Sequence, residues 1–115
     1  MSHRAGRLKL VSVAMLLVAG ASLVAVTRLT GRVEAREIAV HSVPAGAGEG
    51  VVKLYGNGAT DLDCYVYDRL GVLLGFDNGI SDVCLVTFRQ RREGEIRIEV
   101  ENLGDVGNDY RLEVS

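Results

Sequence analysis

Histidine is nearly absent from this chain of 115 residues: only His3 and His41 occur. That excludes a histidine-based metal cluster. The adjacent His41-Ser42 pair does not by itself give a nucleophile and base their geometry. Surplus positive charge is also missing. The net charge is −2 and the isoelectric point near 5.6, which argues against a nucleic-acid binder. Proline occurs once, at Pro44, and cysteine twice, at Cys64 and Cys84. The cysteine spacing fits no metal-binding or redox motif. There is no internal repeat. What remains is 48% hydrophobic and 24% charged, an ordinary globular composition for one domain at most.

That average joins two unlike parts. Residues 1–37 hold six basic side chains (Arg4, Arg7, Lys9, Arg28, Arg32 and Arg36) against Glu34 and Glu37. Residues 38–115 hold seven basic and thirteen acidic ones, a net of −6. Arg4, Arg7 and Lys9 precede an uncharged run of 18 residues, Leu10 to Thr27. A basic start and an apolar stretch are the grammar of a secretory signal. Ala19-Gly20-Ala21 supplies the small residues a signal peptidase reads, so residues 1–21 are expected to leave as a signal peptide. The other reading keeps residues 1–28 as a membrane anchor. At ~1.5 Å per residue the run spans ~27 Å, enough for a bilayer core. Both readings make the leader an apolar helix and place the body outside the cytoplasm: secreted, periplasmic or on the cell surface. Residues 22–37 read as a linker, with a first strand near Ile38 to Val40. Pro44 to Gly50 reads as a flexible turn.

From Val51 onward the hydrophobic period is two. Ile96, Ile98 and Val100 alternate with Glu95, Arg97, Glu99 and Glu101, and Tyr110, Leu112 and Val114 with Asp109, Arg111 and Glu113. Leu62, Cys64 and Val66 form a third inward set. Val83 to Phe88 is apolar on both faces and reads as a central strand. Asn57-Gly58, Asn78-Gly79 and Glu93-Gly94 punctuate these runs with turn chemistry. Six or seven short strands predict an all-β fold, a small antiparallel β-sandwich of jelly-roll type over residues 38–115.

So small a body has a thin core, and a staple is expected. By parity Cys64 faces inward with Leu62 and Val66, and Cys84 with Val86 and Phe88. The two could meet across the core as a disulfide, the expected state in an exported protein. Two buried thiols are the alternative.

Gly56-Asn-Gly-Ala-Thr-Asp-Leu-Asp-Cys-Tyr-Val-Tyr-Asp68, Gly71-Val-Leu, Ser81-Asp-Val-Cys84, Gly94-Glu-Ile-Arg-Ile-Glu-Val, Asn102-Leu-Gly and Asn108-Asp-Tyr-Arg-Leu resemble, in order, the bacterial pre-peptidase C-terminal domain. The resemblance covers residues 38–115. It implies a compact β-sandwich, here as a stand-alone exported member, with calcium binding in related collagenase domains. The chain departs from the family at Asn57 and Ala59, where acidic residues are common, at the Arg89-Gln-Arg-Arg-Glu93 loop, and at Gly107.

Candidate sites follow. Asp61 and Asp63, two apart on a strand, leave one face about 7 Å apart. Asp77 and Asp82 lie in the loop before Cys84. Together the four could offer calcium hard oxygen ligands; the alternative is that they cap turns. Tyr65 and Tyr67 share the outer face of their strand with Asp61 and Asp63, and Tyr55 is placed with them. Exposed tyrosines make a ligand surface or simple cross-strand pairs. The expectation is an exported, non-enzymatic binding or accessory module, possible partners being an extracellular protein or glycan. The alternative is a structural or interaction protein of the cell envelope, held at the membrane by an uncleaved leader.

Overall fold

The computed structural model describes residues 8–13 and 26–115. Nine strands follow in order: β1 (Leu8–Val13), β2 (Thr27–Val33), β3 (Ile38–Ala45), β4 (Gly48–Tyr55), β5 (Leu62–Tyr67), β6 (Leu73–Asp77), β7 (Val83–Gln90), β8 (Gly94–Asn102) and β9 (Asn108–Val114). One sheet has the order β1-β3-β8-β5-β6, the other β2-β9-β4-β7. Without β1 they are two four-stranded antiparallel sheets; β1 joins the first in parallel, along the free side of β3. The expected β-sandwich is therefore present. The cleavage site at Ala21 and most of the apolar leader lie outside the described residues. Of the leader, Leu8–Val13 is extended in β1 and Thr27 already belongs to β2. Among the described residues no helix is long and apolar enough to cross a membrane.

Alternation builds the core. Val52, Leu54, Leu62, Val66, Ile96, Ile98, Val100 and Leu112 are all buried between the sheets. Cys64 on β5 and Cys84 on β7 form a disulfide with a Cα–Cα distance of 6.3 Å. These strands belong to different sheets, so the bond staples the layers together, as parity predicted.

Four expectations need correction. Residues 27–33, read as linker, form β2, which pairs along the full length of β9. Pro44 to Gly50 is not a flexible turn: β3 runs to Ala45, β4 starts at Gly48, and only two residues cross between the sheets. β7 is an edge strand rather than a central one, and its outer face is apolar without being covered. The outer face of β8 is not wet throughout: Glu99 is buried, with Arg97 at 3.1 Å.

His41 is fully buried on the inner face of β3. Its Nε2 lies 2.6 Å from the Tyr110 hydroxyl on β9, and the rings meet edge to face. This pair is the polar counterpart of the disulfide, joining the same two sheets elsewhere. Burial pushes the Tyr110 phenol well above its ordinary range, because a phenolate there would be stripped of water.

Candidate functional site

The end of the sandwich where β6 passes into β7 carries the densest network of side-chain-to-backbone hydrogen bonds. Loop 78–82 is fixed from within. Asp77 accepts from the Gly79 amide (3.0 Å) and the Leu85 amide (2.9 Å), one oxygen each. Ser81 Oγ accepts from the Val83 amide at 3.2 Å. The loop is also fixed to its neighbour, the β4–β5 connection. Gly56 N–H donates to the Asp82 carbonyl (2.8 Å), Leu62 N–H to the Ser81 carbonyl (3.2 Å), and Gly58 N–H to Asp82 Oδ2. Buried Asn108 completes the join: its side chain donates to Thr60 Oγ1 at 3.1 Å and to Asp82 Oδ2 at 3.3 Å, and accepts from the Asn57 amide. The disulfide at Cys84 lies two residues beyond.

This bracing holds up an apolar tip. Ile80 is 96% exposed, the most exposed large hydrophobic residue of the described part. Beside it Val83 and Leu85, on the outer face of β7, are 50% and 57% exposed, and Phe76 on β6 is 53% exposed. Tyr55 stands opposite Val83 on β4, and Phe76 is stacked on Tyr65, centroids 6.1 Å apart. Tyr55, Val83 and Leu85 belong to the outer face of one sheet, Tyr65 and Phe76 to that of the other, so exposed apolar side chains flank the Ile80 loop on both sides; exposed apolar surface of this kind marks interaction sites.

The four aspartates do not converge. Asp77 and Asp82 both cap backbone amides. Asp63 is buried on the outer face of β5, opposite Glu101. Asp61 lies near Asp82 only: burial of its carboxyl, and then the Asp82 charge, push its pKa up. Among the described residues no group of three or more His, Cys, Asp or Glu side chains is placed to hold a metal. The donor set does not fit the calcium expectation.

The tyrosines divide between the sheets. Tyr65 and Tyr67 share the outer face of β5, where Tyr67 lies 4.6 Å beneath the Arg97 guanidinium. Tyr55 is on β4, on the outer face of the opposite sheet, with Arg111 over its ring at 5.2 Å. The connection at 56–61 carries the chain from one sheet to the other, so Tyr55 cannot join the other two. Ile80 was not singled out from the sequence. The available signal was the unexplained apolar parity of Val83 and Leu85, which a central strand was invoked to absorb.

No family model matches the chain, and no curated protein matches it. Solved structures do. A periplasmic inhibitor of g-type lysozyme, PliG from Aeromonas hydrophila, superposes with a TM-score of 0.66 at 16% identity, covering 96% of this chain and 98% of that one. The fold is shared. The pre-peptidase C-terminal domain of a Bacillus anthracis collagenase follows with 0.57 at 10% identity, over 96% and 93%. PliG from Salmonella Typhimurium gives 0.56 at 12%, over 96% and 97%. The pre-peptidase C-terminal expectation thus holds at the level of fold.

Proposed function

We propose that this chain is an exported, non-catalytic module that binds a protein, and that its partner is a lytic enzyme of the g-type lysozyme class. The carrying observation is Ile80, solvent-exposed at the tip of a loop held by Asp77, Ser81, Asp82, Asn108 and the disulfide. A rigid convex loop loses little conformational entropy on entering a cleft, so more of its apolar contact becomes affinity. A cleft-bearing enzyme is the natural recipient. The likeness to two periplasmic inhibitors supports that choice of partner. The disulfide supports an oxidising compartment.

The test is a lysis assay on a peptidoglycan suspension with a g-type lysozyme and a molar excess of the full chain. The lytic rate is expected to fall in proportion to the chain added. Ile80→Asp should weaken inhibition by at least about tenfold, in the range of a central contact residue, with an unchanged melting temperature. Undiminished lysis at excess, or full inhibition by Ile80→Asp, would overturn the reading.

A further inference from the structure

The opposite end of β7 has a different chemistry. There the β5–β6 turn and the β7–β8 turn lie side by side around a cavity of about 470 Å³. Arg69 comes from the first turn, Arg91 and Arg92 from the second and Arg89 from the end of β7, and Leu70 and Leu74 supply apolar wall. Four of the seven cations in residues 38–115 thus gather in one groove of an otherwise acidic body. With Asp68, Glu93 and Glu95 also lining it, the groove is net positive by one charge on a body that is net negative, which favours an anionic ligand there.

The support of the groove is ordered. Asp68 Oδ1 accepts from the amides of Leu70 and Val72, both at 2.9 Å, and Gly71 takes the positive φ the turn needs. Buried Gln90 ties the base of the second turn to the carbonyls of Ala45, Gly46 and Gly94 at 3.1–3.4 Å. Three carboxylates also border the groove: Asp68, Glu93 and Glu95. Two of them are held in place by neutral donors and keep their charge, Asp68 in its turn and Glu95 with the Ser42 hydroxyl at 2.9 Å. Arg89 reaches Glu49 at 3.6 Å, with both side chains largely in water, a pairing of little strength. Arg69, Arg91 and Arg92 have no ion-pair partner among the described residues.

We infer that this groove binds an acidic polysaccharide. Guanidinium groups match carboxylate and sulfate oxygens in paired hydrogen bonds. The apolar component separates the candidates: Leu70 is 78% exposed within the groove, a surface for the C–H face of a sugar ring that a bare phosphate polymer cannot use. The site does not depend on the inhibitor reading. It is separated from Ile80 by the length of β7, eight residues or roughly 25 Å. One end would hold the chain on a charged glycan while the other remains free for a protein.

The experiment is a fluorescence-anisotropy titration of the full chain, without any lysozyme, at about 50 mM salt. Two tagged octasaccharides serve as probes: an oligogalacturonate, bearing carboxylates alone, and a heparin fragment, bearing sulfates as well. Saturable binding to at least one is expected, weakening by at least about tenfold at several-fold higher salt as counterions compete. The probe that binds tells the carboxylate source from the sulfate one. Arg91→Ser with Arg92→Ser should lower affinity about tenfold, and Leu70→Ser several-fold. Lys53→Gln, which removes an exposed cation elsewhere, should leave it unchanged. The inference is overturned if neither oligosaccharide saturates, if Lys53→Gln weakens binding as much as the arginine pair, or if polyphosphate competes fully and Leu70→Ser has no effect.

Discussion

At Asp61 a carboxylate stands beside Asp82 with one oxygen buried and without a hydrogen bond. The ionised form is therefore less favourable folded than unfolded. With the folded pKa raised above the ordinary 3.8, the native state holds this proton more tightly. Stability from this group is present below the unfolded value and lost as pH rises through the folded one. Asp61→Asn should accordingly raise the melting temperature at pH 7, and the gain should vanish in scans near pH 3. A variant less stable at pH 7 would show that Asp61 has a partner the native state needs. The other aspartates illustrate how far single residues can be read. Asp77-Asn-Gly79 is visible as turn chemistry, and its capping role follows from local spacing alone. Whether Asp61, Asp63, Asp77 and Asp82 converge depends on which sheet each neighbouring strand joins, which spacing does not encode.

β2 and the start of β4, before Val51, escaped the alternation pattern for one physical reason. On β2 the inner row is Leu29, Gly31 and Val33, and on β4 it is Gly50, Val52 and Leu54. Each glycine sits opposite a large aromatic of the neighbouring strand, Gly31 under Tyr110 and Gly50 under Phe88. A Cβ on Gly31 would lie 2.6 Å from the Tyr110 ring, and one on Gly50 would collide with the Phe88 ring. The space of one inner side chain is thus filled from the next strand. A periodicity scan sees a break where the core is in fact continuous. Gly50→Ala should destabilise by about 1–3 kcal/mol, the range for overpacking a filled core, read as a lower urea midpoint with an unchanged slope. An unaffected midpoint would mean that Phe88 has room to move. β7 failed in the opposite sense: its outer Val83 and Leu85 were legible as apolar, and burial was inferred where exposure is found. For an edge strand, apolar parity on both faces is evidence about a surface.

On the scale of the whole molecule, the sandwich type, the inward rows of β5, β8 and β9 and the pairing of the cysteines were all legible in the sequence. They rest on strict alternation and on the scarcity of cysteine. The braced apolar end was less so, because loop 78–82 is held in place by Asn108 and by the 56–61 connection, both distant in sequence. The disulfide closes a 20-residue separation between β5 and β7, a constraint worth about 3 kcal/mol in the chain-entropy model. Replacing both cysteines by serine should lower the melting temperature by roughly 10–20 °C for a domain of this size, and reductant should have the same effect on the native chain. If neither shifts the transition, the sheets are held by packing alone.

The parallel strand β1 lies upstream of Ala21, so a cut there would carry it away with the leader. β3, an interior strand while the leader is attached, would then become an open edge at residues 38–42. Unpaired strand edges recruit other chains.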